Sequence, residues 1–92
     1  MGFNYIVLQT KTDGLVREVP IIYPDTLVHE HVALALQLVM SLYGNKPTVV
    51  SAGSIELSVG SCDGKSTSLG IKSRKNKDRI LINNYPYMHG IT

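Results

Sequence analysis

The sequence predicts a single α+β domain spanning residues 1–92, in which a mainly antiparallel sheet of four or five strands is packed by one central helix. Three observations support this fold class: one long segment has helical periodicity, several short runs are rich in β-branched residues, and glycine-containing turns separate them. The predicted order is β-β-α-β-β, followed by an element that is either a strand or a helix. A chain of 92 residues has material for one modest core.

The first two strands are predicted to form a hairpin. Residues 3–10 are rich in β-branched and aromatic side chains and apolar on both faces, which is typical of a central strand. Asp13-Gly14 favours a tight turn. In the second strand, residues 15–23, Pro20 cannot donate a ladder hydrogen bond, which indicates an edge strand or a bulge.

The central helix is predicted over residues 26–43, with Asp25 as N-cap and Gly44 as its stop. Its apolar arc is roughly 200° wide, whereas covering one sheet face needs only about 100°. We therefore expect one flank to contact a second copy or a partner, although wrapping by the domain itself would also use the width. The residues assigned to an oligomer contact are Leu27, His31, Leu34, Leu38 and Leu42. The opposite arc contains His29, Glu30, Ala33, Gln37 and Ser41.

His31 lies near the middle of the apolar arc. It is interpreted as a neutral histidine of the core or of an interface, with a ligand or pH-switch role as the alternative. Metal binding by His29 and His31 is not predicted, because side chains two residues apart on a helix point in different directions.

The second half of the chain is predicted as two hairpin strands and one ambiguous element. Residues 48–59 contain two strand-like pieces with Gly53 as a bulge between them. In the second piece, alternate residues that include Leu57 and Val59 are predicted to face the core. This piece is predicted to pair with residues 66–72, in which Ser66 is predicted to face water. Residues 79–84 are predicted as a strand, with a short helix as the alternative.

Positive charge is concentrated in one segment, although the formal net charge is only +2. Residues 65–79 carry six cations, Lys65, Lys72, Arg74, Lys75, Lys77 and Arg79, against Asp78 alone. Such a local patch can attract an anionic partner at small net charge.

No catalytic residues, metal site or cofactor are predicted. The acidic residues are scattered, and Cys62 is the only cysteine, which excludes an internal disulfide and makes a zinc site improbable. Cys62 is interpreted as incidental, not as a nucleophile. No apolar run approaches the ~20 residues that span a bilayer, and no signal peptide is recognised. The sequence therefore predicts a non-enzymatic cytoplasmic protein.

Residues 64–70 combine glycines, hydroxyls and a lysine, the groups that bind phosphate. The aromatic tail adds rings able to stack on a base. The predicted ligand-binding residues are Arg17, Lys65, Ser66, Ser68, Lys72, Arg74, Arg79, Tyr85, Tyr87 and His89. The alternative is a solvated hairpin whose serines satisfy turn backbone, with a tail packed across the sheet or a neighbouring subunit.

The chain also resembles small tailed-bacteriophage proteins of unassigned function. The corresponding pieces in those proteins are P-I-I-F-P-D-x-L-V-H-x-x-V-A, S-A-G and G-x-S-x-S-L-x-x-x-S-R. The matching residues here are 20–24, 27–29, 32–33, 51–53, Gly64, Ser66, 68–69 and 73–74. The resemblance implies a phage protein acting in the host cytosol, where small phage proteins often inhibit host defences by binding.

The leading functional hypothesis is a homo-oligomeric counter-defence inhibitor that sequesters an anionic ligand such as a nucleotide signal or a nucleic-acid phosphate. One alternative is a protein–protein inhibitor of a host defence or nucleic-acid-processing complex. Another is a phage structural or assembly protein.

Overall fold

The computed structural model describes residues 2–42 and 46–85, and its fold is α+β as predicted. A four-stranded antiparallel sheet has the order β2-β1-β3-β4, and a separate two-stranded pair is formed by β5 and β6. The strands are β1 (Phe3–Thr12), β2 (Leu15–Pro24), β3 (Thr48–Glu56), β4 (Ser61–Asp63), β5 (Lys65–Ser66) and β6 (Ile71–Lys72). The helices are α1 (His29–Ser41) and α2 (Lys75–Asn83).

The predicted first hairpin is confirmed. Asp13 and Gly14 have φ of 53° and 80°, the left-handed values that a two-residue hairpin turn requires. β1 lies between β2 and β3, as its two apolar faces predict. β2 is an edge strand, where the missing N–H of Pro20 does not interrupt hydrogen bonding between two central strands.

Alternate residues of β1 feed two cores, one on each face of the sheet. The core on the α2 face contains Tyr5, Val7, Ile55, Cys62 and Ile82. The core on the α1 face contains Ile6, Leu8, Tyr23, Ala33 and Ala52, and Leu69 and Ile71 of the β5–β6 region pack against it. The sheet is therefore covered by α2 on one face and by α1 with the β5–β6 pair on the other.

The predicted start of the central helix was too early. α1 begins at His29, and its N-cap is Val28, which makes no side-chain capping bond. Asp25 is not the cap, because a turn intervenes in which the Leu27 N–H donates to the Pro24 carbonyl at 3.1 Å. The predicted stop at Gly44 lies outside the described residues.

The predicted second hairpin is wrong. β3 runs continuously through Gly53, where a Cβ atom would lie 2.2 Å from the Asp63 carbonyl oxygen, so glycine permits the close approach of β4. The irregularity lies instead opposite Val7 and Leu8, where the register skips Val50. β3 pairs with β4, and β5 pairs with β6.

The polar–apolar alternation beyond β3 predicted the burial of several side chains wrongly. Leu57 and Val59, predicted to face the core, are 41% and 61% exposed because residues 57–60 form a turn. Ser66, predicted to face water, is buried.

The last element is helix α2, so the strand predicted over residues 79–84 is wrong. Ile82 is buried whereas Ile80 is 62% exposed, which is incompatible with a strand that buries both on one face. Asp78 and Ile82, four residues apart, share the inward face of the helix.

Candidate binding surfaces

The side of α1 that points away from the sheet is apolar. We call this surface the α1 stripe: Leu27, His31, Leu34, Ala35, Leu38, Val39 and Leu42, all of which are exposed. Leu34, Leu38 and Leu42 are 54%, 60% and 82% exposed. All five residues predicted for an oligomer contact belong to this stripe, and His31 is not a core histidine.

The side of α1 that faces the sheet combines Ala33, His29 and Gln37 of the arc that the sequence marked as polar with apolar side chains that pack against the core, Val32, Leu36 and Met40. The small Ala33 is buried and lets the helix approach the sheet. His29 Nε2 donates to the Gly53 carbonyl at 3.1 Å, and Gln37 Nε2 donates to the Pro47 carbonyl at 3.1 Å. The His29 ring also meets Tyr23 edge-on, with ring centroids 5.8 Å apart. These contacts orient α1 so that Leu34, Leu38 and Leu42 point away from the sheet.

Arg74 is held inside the molecule by two carboxylates. Its guanidinium forms two bonds with Glu18, at 2.9 and 3.2 Å, and also contacts Asp78 Oδ1. Burial opposes the charged form of Arg74, but the bonds to Glu18 and the charge of Asp78 outweigh it and raise the pKa. The Arg74 bond lowers the pKa of Glu18. Arg74 therefore links α2 to β2.

Asp78 is fully buried, and four donors surround its carboxylate. Tyr5 Oη donates to Oδ2 at 2.6 Å, and Ser51 Oγ donates to Oδ1 at 2.9 Å. The Arg74 N–H and Nε supply the other two bonds at 2.9 and 3.0 Å. Tyr5 Oη also contacts Ser73 Oγ, and burial raises the pKa of Tyr5 far above its ordinary value. One signal of this network is visible in the sequence, a lone acid within a cationic segment.

Lys65 and Lys72 lie directly opposite each other across β5 and β6, and both are exposed. The nearby serines serve the turn: buried Ser66 Oγ accepts from the Leu69 N–H at 3.2 Å and lies 3.3 Å from Ser68 Oγ. The turn-satisfying alternative thus accounts for Ser66.

The predicted ligand-binding residues do not lie on one surface. Alternation along β2 places Arg17 on the face of Ile21 and Tyr23, whereas Glu18 reaches Arg74 on the other face. Arg79 is exposed on α2, and Tyr85, half-buried, follows that helix. Tyr87 and His89 lie outside the described residues.

The outer face of α2 carries polar residues at helical spacing. Asn76, Arg79, Ile80 and Asn83 are all exposed and, with Asn84, line a groove of about 480 Å³. This face was not predicted, because the sequence pattern favours a loop over residues 73–78 and a strand over residues 79–84.

Cys62 is buried, and its Sγ donates to the Gly60 carbonyl at 3.7 Å. Burial, with a contribution from the Asp78 charge, raises the pKa of the thiol to about 11. A thiol that is protonated at neutral pH is a poor nucleophile.

Two further observations concern residues 2–42 and 46–85 only. No group of three or more His, Cys, Asp or Glu side chains there could hold a metal ion. Neither of the helices described there has the length and hydropathy needed to cross a membrane.

Comparison with known proteins returned nothing: no protein-family model, curated protein or solved structure matches this chain.

Proposed function

We propose that this chain is a non-enzymatic binding protein that self-associates through the α1 stripe. The observation that carries the proposal is the exposure of Leu34, Leu38 and Leu42 on the outward side of a helix whose other side is bonded to the sheet. Contiguous exposed apolar surface of this kind marks interaction sites.

The pattern of large and small side chains along the stripe is self-complementary. Two antiparallel copies of α1, related by a two-fold axis between Leu34 and Ala35, place each Leu34 against the small Ala35 of the other copy. The same alignment places His31 against Leu38 and brings Leu42 of one copy towards the turn before α1 of the other, where Leu27 lies. Identical patches that complement themselves in this way are the basis of two-fold dimers.

The charges at the two ends of α1 favour the same antiparallel arrangement. Asp25 and Glu30 lie at its N-terminal end, and Lys46 follows its C-terminal end; all three are exposed. An antiparallel pair brings the acidic end of one copy to the basic end of the other and aligns the helix dipoles favourably.

The available apolar surface suits a dimer of moderate affinity. Burying a half-exposed leucine or valine stabilises the complex by roughly 1 kcal/mol, half the value for full burial. Association itself costs at least about 4 kcal/mol. In the α1 stripe, Leu27, Leu34, Leu38, Val39 and Leu42 are each 50% exposed or more, so each copy contributes five such side chains. A dissociation constant in the micromolar range is the expected consequence.

Sedimentation equilibrium across the micromolar range tests this proposal. The wild-type protein should pass from monomer to dimer, and Leu34→Asp should remain a monomer because it places a charge at the centre of the contact. Leu15→Asp is the matched control, because Leu15 is also 54% exposed but lies in β2. Circular dichroism establishes that both variants fold.

A monomeric wild-type protein at every concentration would contradict self-association and favour the alternative in which the α1 stripe contacts a host protein. Equal weakening by Leu34→Asp and Leu15→Asp would remove α1 as the contact.

The resemblance to phage proteins supports the biological part of the proposal, a counter-defence inhibitor in the host cytosol. Expression of the wild-type protein and of Leu34→Asp in a bacterium that carries a phage-defence system tests it. Restored phage growth with the wild type and not with the variant is the expected result. No effect of either protein on any tested defence would favour the assembly-protein alternative.

Sequestration of an anionic ligand is a second candidate, and the Lys65–Lys72 pair favours it. Like charges directly opposite each other in a strand pair are destabilising. An anion bound between them would remove that repulsion. Tripolyphosphate should therefore raise the melting temperature of the wild type more than that of Lys72→Gln, with Lys11→Gln as control. Equal shifts in the three proteins would contradict binding at this pair.

A further inference from the structure

The geometry of α2 points to a DNA-binding surface: we propose that the outer face of α2 enters the major groove of duplex DNA. We call this surface the α2 face and define it as Asn76, Arg79, Ile80 and Asn83. It lies on the opposite side of the sheet from the α1 stripe, and the inference does not depend on self-association.

The α2 face carries the side chains that read base edges. Asn76, Arg79 and Asn83 follow one line along the helix at positions i, i+3 and i+7. Asparagine can pair with the N6 and N7 atoms of adenine, and arginine with the O6 and N7 atoms of guanine. Exposed Ile80 supplies an apolar contact for a thymine methyl group.

Two lysines flank this face where DNA strands would run. Successive helix residues are separated by about 100°, so Lys75 and Lys77 lie on either side of Asn76. Both are exposed. Lys75 pairs with Asp63 at 3.1 Å, but the two side chains are 67% and 72% exposed, so phosphate can replace this weak partner.

Two acidic groups beside α2, Asp78 and Glu18, are neutralised inside the molecule, whereas Asp63 is exposed and pairs with Lys75. Asp78 is turned away from the α2 face and accepts bonds from Tyr5, Ser51 and Arg74. Glu18 is held by the Arg74 guanidinium. The helix consequently presents only cations and neutral groups outward, which is the charge complement of a polyanion.

The dimensions of α2 also suit a DNA groove. An α-helix with side chains is about 10–12 Å wide, and the major groove of B-DNA is about 12 Å wide. The buried Asp78 network fixes α2 to β1 and β3, so the face is positioned before it binds. The major groove of A-form RNA is too narrow for a helix, which separates DNA from duplex RNA.

Fluorescence anisotropy with labelled duplex DNA of about two helical turns tests this proposal. A pool with random central bases is first enriched on immobilised protein, and the enriched duplex is the probe. The double variant Lys77→Gln/Arg79→Gln should bind it about 10-fold more weakly or worse. The control Lys11→Gln/Arg17→Gln removes the same charge from the β1–β2 hairpin and should bind within about 3-fold of the wild type.

A second pair of variants separates base reading from charge. Asn76→Ala and Asn83→Ala leave the lysines intact, so each should still bind DNA but lose preference at one position of the enriched sequence. Circular dichroism verifies folding of every variant.

Four outcomes would overturn the proposal. They are the absence of DNA binding, equal affinity for a duplex RNA of the same sequence, equal weakening by the two double variants, and an enriched pool with no base preference.

Discussion

Asp78 shows how a single buried residue determines where a helix lies. Its carboxylate has no exposed surface and accepts bonds from β1, from β3 and from Arg74, the N-cap residue of α2. A buried carboxylate is tolerated only with such partners. From the sequence it was one acid among six cations, and nothing in that pattern showed that Tyr5 and Ser51 would surround it.

Replacing Asp78 should therefore destabilise the fold strongly. Asp78→Asn leaves Arg74 without one anion and cannot accept all four bonds, so we expect the free energy of unfolding to fall by about 3–5 kcal/mol. Urea denaturation measures the loss. Asp63→Asn, which changes an exposed carboxylate of an α2 salt bridge, is the control and should have a small effect. Equal losses in the two variants would show that the buried network does not anchor α2.

Glu18 should make the protein sensitive to acid. Its bond to Arg74 holds the pKa of the folded state below the ordinary value of 4.5, so the unfolded state binds more protons as the pH falls. The stabilisation is complete above pH 4.5 and is lost as the pH falls through the lowered pKa. Glu18→Gln should flatten this part of the profile of urea midpoint against pH. An unchanged slope in the variant would assign the acid sensitivity to other carboxylates.

At the scale of elements, the sequence predicted the first half well and the second half poorly. The first hairpin depends on local chemistry, Asp13-Gly14 and an edge proline, and was placed correctly. The existence of α1 was predicted, but its orientation depends on the small Ala33 and on carbonyls of distant segments that accept from His29 and Gln37. Binary patterning assumes that the apolar side of a helix faces the core, but α1 is apolar on both sides: Val32, Leu36 and Met40 pack against the core while the leucines of the α1 stripe are exposed.

The second half was mispredicted because short apolar runs suit both periodicities. Ile80 and Ile82 fit a strand by alternation, yet the structure buries Ile82 and exposes Ile80 on a helix. Leu57 and Val59 are separated by one polar residue, as on one face of a strand, but both lie in a turn in which Gly60 has φ of 68°. For α2, the packing of Ile82 with Tyr5 and Val7 of β1, and not the local pattern, decides the element.

The asparagines of α2 provide a test of whether its face is functional. Asparagine is a weaker helix former than alanine by several tenths of a kcal/mol. Asn76 is exposed and lines the open groove, so Asn76→Ala should raise the free energy of unfolding by about 0.5 kcal/mol while weakening base preference. Urea denaturation and the DNA anisotropy assay measure the two effects. Loss of stability in this variant would indicate a structural role for Asn76.

At the scale of the whole molecule, the sheet separates two surfaces of different chemistry. The α1 stripe is apolar and lies on one face, whereas the α2 face is polar and cationic and lies on the other. In a dimer joined through α1, the two α2 faces point away from each other. Such a dimer would bind two separate DNA segments and not two half-sites on one side of a duplex.

Disulfide trapping distinguishes the proposed antiparallel pairing of α1 from every other arrangement of two copies. His31→Cys and Leu38→Cys are prepared separately; the native Cys62 is buried and does not compete. A disulfide requires Cα atoms closer than about 7 Å. Antiparallel pairing brings position 31 of one copy to position 38 of the other, whereas the two copies of either position are offset by about 10 Å along the helix.

We expect a cross-linked dimer when the two variants are mixed and oxidised, and little when either is oxidised alone. Efficient cross-linking of each variant with itself, and not of the mixture, would show parallel pairing. The absence of cross-linking in all three samples would contradict the α1 contact.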